Sequence, residues 1–251
     1  MSWLETISPP DIISTNGHLI DSLFLYTSIM ACLFFFCVCF GLFGFSWRYS
    51  EKRNKVVDYT YGNRKNQLKA TLVIGLLVFV LIDLTITWRS NNDMIQEFWN
   101  FPQPGEDITK VEVLAQQWMW NFRYAGADGE FNTGDDVLTN HDLHIPVGKK
   151  VEFRITSKDV IHSLFFPNAR IKVDAMPGRI SRMWFEPTKT GIYDIACAEM
   201  CGTNHYKMQA KLYVHTQEEF DEWLSEAQHL AKIGNDTENL DNFWGWKWGD
   251  K

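Results

Sequence analysis

Two thiols, an imidazole and a thioether fall within twelve consecutive residues, Cys197-Ala-Glu-Met-Cys201-Gly-Thr-Asn-His205-Tyr-Lys-Met208. A second imidazole, His162, stands upstream in a segment with strand character. Side chains of these types bind soft or borderline metal ions. Only five cysteines occur. The other three, Cys32, Cys37 and Cys39, lie in an apolar run and read as small packing residues.

Four chemistries compete for residues 197–208. A disulfide between Cys197 and Cys201 suits an oxidising compartment but leaves His205 and Met208 without a role. A Cys2His2 zinc site has acceptable ligands yet makes no use of Met208. A single blue-copper ion takes two His, one Cys and a weak Met, so one cysteine is surplus. Two copper ions use the whole set. Neighbouring thiolates repel one another, and two bridged cations offset that repulsion. Each ion then takes one imidazole, with weaker ligands outside. An electron shared between two metals changes bond lengths little, which is what a one-electron relay requires.

The elements that carry these residues follow from the pattern along the chain. Residues 22–47 hold no charge, and residues 70–88 hold one, Asp83. Both runs meet the length of about 20 apolar residues needed to cross a bilayer. The flank before the first carries Glu5, Asp11 and Asp21 but no Lys or Arg, so an anchor is expected rather than a cleaved signal. Between the spans lie Arg48, Lys52, Arg53, Lys55, Arg64, Lys65 and Lys69 against Glu51 and Asp58. Basic loops stay cytoplasmic, which puts the N-terminus and the large C-terminal region on the outer face. The net charge of −7 argues against a nucleic-acid partner. An acidic outer region suits a basic partner or is ordinary solvated surface.

From Val111 onward, short runs of period-two character alternate with turn residues, as at Lys150-Val-Glu-Phe-Arg-Ile-Thr-Ser157. Residues 111–124 read as one long run. The expected fold is membrane-anchored and all-β, a two-helix transmembrane hairpin followed by an antiparallel sandwich or barrel and a C-terminal amphipathic helix. That helix, over 217–232, carries Phe220, Trp223, Leu224, Ala227 and Leu230 on its apolar stripe. The expected divisions are an outer segment 1–18, spans 19–48 and 69–89, a cytoplasmic loop 49–68, a linker 90–110, the β domain 111–216 and a docking region 217–251. Phe243, Trp244, Trp246 and Trp248 crowd the last ten residues, read as docking on a partner or the membrane interface. Asp and Asn spacing over 128–136 resembles a calcium loop without its terminal bidentate Glu, and an acidic turn is the alternative.

In order and spacing, the two spans, the outer β domain and the C-A-E-M-C-G-x-N-H-x-x-M loop resemble subunit II of haem–copper cytochrome c oxidases. Val160-Ile-His162-Ser163, Asp174-Ala-Met-Pro-Gly-Arg179 and Gln117-Trp118-Met-Trp120 match further family segments, so the resemblance covers most of the chain. It implies a cupredoxin-like β-sandwich holding a dinuclear CuA centre. The implied ligands are His162, Cys197, Cys201, His205, Met208 and the backbone carbonyl of Glu199. It implies that the Glu199 carboxylate binds magnesium shared with the catalytic subunit. Trp118, with Trp120 as the alternative, is implied to receive the electron, and Asp174 and Arg179 to face the haem-bearing subunit. The implied partners are that subunit I, other oxidase subunits, membrane lipid and cytochrome c or a bound c-type cytochrome. The expected location is a bacterial inner membrane with the copper domain periplasmic. No haem is expected on this chain, since no Cys-x-x-Cys-His occurs.

Taken together, these features give an electron-transfer subunit of a proton-translocating cytochrome c oxidase, with oxygen reduced to water on another chain. The alternatives are a CuA subunit of a nitric oxide reductase, a quinol-oxidase subunit that has lost copper, and a copper-delivery protein. One departure is plain. Many family members carry a proton-admitting glutamate near the start of the second span, where this chain reads Asn66-Gln67-Leu68-Lys69. Asp83, near the outer end of its span, reads as partner-facing or snorkelled.

Overall fold

The structure, a computed structural model, describes residues 9–56 and 65–234. The Trp-rich tail therefore lies outside the described residues. Two compact units result. One is Leu19–Trp99, and the other joins the segment before it to the residues from Asn100 onward.

The first unit is the helical hairpin. Helix α1 runs over Gly17–Arg48 and α2 over Lys65–Phe98, the latter containing π-turns at Phe79–Asp83 and Met94–Phe98. At about 1.5 Å per residue each exceeds the ~30 Å hydrocarbon core. The phenolic oxygen of Tyr26 on α1 lies 3.3 Å from the Leu81 carbonyl and 3.0 Å from Thr85 Oγ1. Arg89 Nη2 donates to Ser22 Oγ at 2.7 Å. Phe24, Phe40 and Phe43 stand exposed, as lipid-facing side chains must.

The second unit is a β-sandwich of ten strands among the described residues. They are β1 Thr109–Gln116, β2 Met119–Tyr124, β3 Val137–Asn140, β4 Asp142–Pro146, β5 Val151–Ser157, β6 His162–Phe166, β7 Ile171–Ala175, β8 Ser181–Phe185, β9 Gly191–Cys197 and β10 Gln209–His215. One sheet has the order β3-β2-β1-β5-β8 and the other β4-β10-β9-β6-β7. The pairs β1–β5 and β4–β10 are parallel and the others antiparallel. Val111, Val113, Phe122, Phe153 and Ile155 of one sheet and Leu143, Ile145, Leu164, Phe166 and Ile195 of the other fill the core. Full burial of each is worth about 1.5–3 kcal/mol.

Three expectations change. Residues 111–124 are not one strand. The chain reverses at Gln117 and Trp118, with Gln116 opposite Met119, because a two-residue turn leaves the apolar pattern on both sides uninterrupted. The reversal sets Glu112 opposite Arg123, and the two buried side chains pair. In addition, β3, β4 and β7 were not legible as separate runs, being only four or five residues long. On helix α3, Gln217–Gly234, Leu230 is exposed and Ala231 takes its place beside Phe220, Trp223, Leu224 and Ala227. At 100° per residue, position 231 returns to the azimuth of 220 whereas 230 lies well off it. The helix begins on a capping box. Glu219 N–H donates to Thr216 Oγ1 at 3.3 Å and Thr216 N–H to Glu219 Oε2 at 2.9 Å.

The segment before α1 belongs to the sandwich. Ile13 is fully buried, its N–H reaches the Asn168 carbonyl at 3.0 Å, and its own carbonyl accepts from Thr188 N–H at 2.7 Å. With two spans between them, that segment and the sandwich share one side of the bilayer.

Candidate metal centre

Two neighbouring strands and one loop bring the soft ligands together. His162 opens β6, Cys197 closes β9, and the strands pair antiparallel with Leu164 opposite Cys197. The loop returns through a 3-10 turn at His205–Lys207 to Met208, just before β10. It is closed by Cys197 N–H donating to the Met208 carbonyl at 3.1 Å.

The sulfurs of Cys197 and Cys201 lie 3.8 Å apart. A disulfide needs about 2.0 Å, so both thiols are free. Two sulfurs each about 2.3 Å from a common ion could stand up to ~4.6 Å apart, and the observed spacing fits that arrangement. Cys197 Sγ is 4.0 Å from His162 Nδ1 and 3.3 Å from the Glu199 carbonyl. Cys201 Sγ is 3.6 Å from His205 Nδ1 and 3.8 Å from Met208 Sδ. His162, Cys201 and Met208 are buried. The sulfur and ring-nitrogen donors converge on one another, as a metal-binding set must. Both imidazoles present Nδ1 and the two thiols lie between them, so the five side chains and one carbonyl fit the dinuclear copper reading.

Electrostatics support the fit. Burial opposes ionising Cys197, but hydrogen bonds from His162 and from loop N–H groups outweigh it and the thiol moves down. Cys201 moves up, through burial and then through the neighbouring Cys197. The Cys197 thiolate thus disfavours ionisation of Cys201.

Asp159, three residues before His162, escapes the sequence reading. His162 Nε2 donates to Asp159 Oδ1 at 2.9 Å, which orients the ring with Nδ1 toward the thiols. Asp159 also accepts from Gln117 N–H at 2.7 Å and Val160 N–H at 2.6 Å. Burial would raise its pKa, but these bonds and His162 hold it below the ordinary carboxylate value. Gln117 itself donates from Nε2 to the Cys201 carbonyl at 2.8 Å. Gly202 has φ +121°, and a Cβ there would fall 2.9 Å from Gln117 Nε2 and 3.1 Å from Trp118 Cζ2. Glycine is therefore needed to seat the β1–β2 turn on the ligand loop.

Trp118 is half-buried against this loop, while Trp120 is fully buried and meets the His162 ring edge-on at 6.1 Å. Glu199 is exposed at the loop, with Met200 and Tyr206 also exposed around it. Asp174 is exposed on β7, opposite Ser163 and one register step from His162. Arg179 is exposed at the turn after β7, its carbonyl accepting from Thr156 Oγ1 at 2.9 Å. The 128–136 loop lies apart from this cluster, and its carboxylates accept from its own N–H groups.

Residues 109–214 match the family model described as cytochrome c oxidase subunit II, periplasmic domain. The alternative cytochrome c oxidase subunit 2 of Bradyrhizobium diazoefficiens is 31% identical over 246 residues, covering 88% of this chain and 84% of that protein. The cytochrome c oxidase subunit 2 of Thermostichus vulcanus is 39% identical over 121 residues, 48% of this chain and 34% of that longer protein. Among solved structures, the periplasmic domain of subunit II of cytochrome oxidase from Bradyrhizobium japonicum aligns with a TM-score of 0.45 and 26% identity. The alignment covers 51% of this chain and 97% of that one.

Proposed function

Because this chain belongs to the cytochrome c oxidase subunit II family, we propose that it is the electron-accepting subunit of a haem–copper oxidase. It takes electrons singly from a c-type cytochrome on the outer face and hands them to haem in the catalytic subunit, where oxygen is reduced. The observation that carries this reading is the pair of free sulfurs 3.8 Å apart, flanked by two imidazole Nδ1 atoms. A disulfide or a single blue-copper ion leaves part of that set unused.

His162, Cys197, Cys201, His205, Met208 and the Glu199 carbonyl would hold two copper ions. Bound there, copper supplies a one-electron couple shared across two bridged metals. The protein's own residues do the rest. Asp159 fixes the tautomer and tilt of His162. Gln117 pins the Cys201 carbonyl, and the buried strands leave the ligands little room to rearrange. Trp118, packed on the ligand loop, offers an aromatic path from the surface. The exposed Glu199 carboxylate would bind magnesium with a partner's ligands, and the exposed Asp174 and Arg179 would face the catalytic subunit. The basic residues between α1 and α2 put that loop in the cytoplasm and the sandwich outside.

The test is to purify the full chain from native membranes with whatever accompanies it and supply reduced cytochrome c. Copurifying haem and oxygen uptake are expected. Nitric oxide uptake without oxygen uptake would replace the acceptor. A chain carrying exchangeable copper and no haem partner would overturn the reading.

A further inference from the structure

Asp83 is the one charged residue between Lys69 and Arg89, and those two lie twenty residues apart. At about 1.5 Å per residue they bracket ~30 Å, the thickness of the hydrocarbon core. Asp83 then sits roughly 9 Å inside the outer boundary. Lys and Arg reach such a boundary along three or four methylenes; aspartate has a single methylene and cannot.

Among the described residues of the hairpin, none pairs with this carboxylate either. Val78, Ile82, Ile86 and Arg89 are the half-buried residues of α2 and mark the side toward α1, whereas Leu81 and Thr85 are exposed. Asp83 is exposed, about 60–100° around the helix from Ile86 and Ile82, and so stands clear of α1. Arg89 faces α1, where it donates to Ser22 and lies 4.0 Å from Asp93. Around Asp83 the outward face is apolar, with Phe79 and Val80 exposed. Asp83 is also the last residue of the π-turn Phe79–Asp83, an irregularity that frequently marks function in helices.

We propose that the Asp83 face of α2 is an intramembrane docking surface for a partner subunit's spanning helix, which presents a basic side chain at that depth. Charge complementarity selects this occupant. An apolar face carrying one unpaired carboxylate is a poor lipid surface, and a cation buried against it satisfies both charges. The inference rests on the chain being a subunit of a membrane complex, and goes beyond that reading by naming the contact.

The full chain, tagged and expressed with its native partners, tests it through the haem-bearing protein retained after detergent extraction. Asp83→Leu should lower retention roughly tenfold or more, while Asp83→Glu keeps it. Equal retention by Asp83→Leu and wild type overturns the proposal, as does equal loss in the Leu and Glu variants. Should the wild-type chain itself retain no haem protein, the subunit reading fails instead.

Discussion

The 197–208 loop and the 126–136 loop both join strands and both concentrate residues that can bind metals. Their donors are spent differently. In the first, two thiols, two ring nitrogens and a thioether lie within about 4 Å of their neighbours and converge on one another. In the second, Asp128 Oδ1 accepts from Glu130 N–H, Asp135 Oδ2 from Ala127 N–H and Asp136 Oδ2 from Asn132 N–H. Thr133 Oγ1 donates to Asp135 Oδ1 at 2.7 Å, and Asp136 lies 3.6 Å from Arg123. A Cβ at Gly126 would overlap the Asp135 carboxylate, so that group is packed into its own turn. Ligand-type residues make a metal site when their lone pairs converge; when they close on the backbone they make a loop.

Several substitutions probe this difference. Cys201→Ser should remove the second bridging sulfur and abolish dinuclear copper outright, read as copper per chain. Full copper loading of that variant would break the comparison. Asp159→Asn weakens the acceptor that orients His162. Copper affinity should fall about 10–100-fold with the β-sheet circular dichroism unchanged. No loss in affinity would make Asp159 merely a turn residue.

A third cluster sharpens the contrast. His144 Nδ1 and His215 Nε2 are 2.8 Å apart, stacked rings hydrogen-bonded to each other under Trp223 of α3. Burial first, and then His215, pull the pKa of His144 down to about 4, from about 6.5 in the unfolded chain. The unfolded chain therefore takes up a proton that the fold refuses. Stability of the metal-free protein should fall as pH drops from about 6.5 to about 4, by no more than ~2 kcal/mol after solvent screening. His144→Gln should flatten that part of a chemical-denaturation pH series. The smallest effect belongs to the acidic loop. Asp135→Asn should cost about 1 kcal/mol through poorer acceptance of its hydrogen bonds, with copper binding untouched. Added calcium should leave the wild-type melting temperature unchanged, and a calcium-dependent rise lost in Asp135→Asn would erase the distinction between the loops.

How much of this was legible in the sequence differs by element. The convergence of soft donors was legible because four of these side chains are close in sequence and chemically unlike ordinary loop residues. The hairpin was legible because two runs almost free of charge have few other uses in a chain of 251 residues. The β1–β2 reversal was hidden, since Gln117 and Trp118 carry no Gly, Pro or Asn signal. Asp159 was hidden for a different reason. One Asp before one His has no meaning until the turn folds its carboxylate back onto the ring. Ile13, which plugs the sandwich from beyond the hairpin, had no local signal at all.

On the proposed function, Cys197 and Cys201 together hold two electronically coupled metals. The full chain, loaded with copper and partly oxidised, tests it by electron paramagnetic resonance. A seven-line copper hyperfine pattern from one electron shared by two equivalent nuclei is expected. A four-line pattern from a single copper would contradict it.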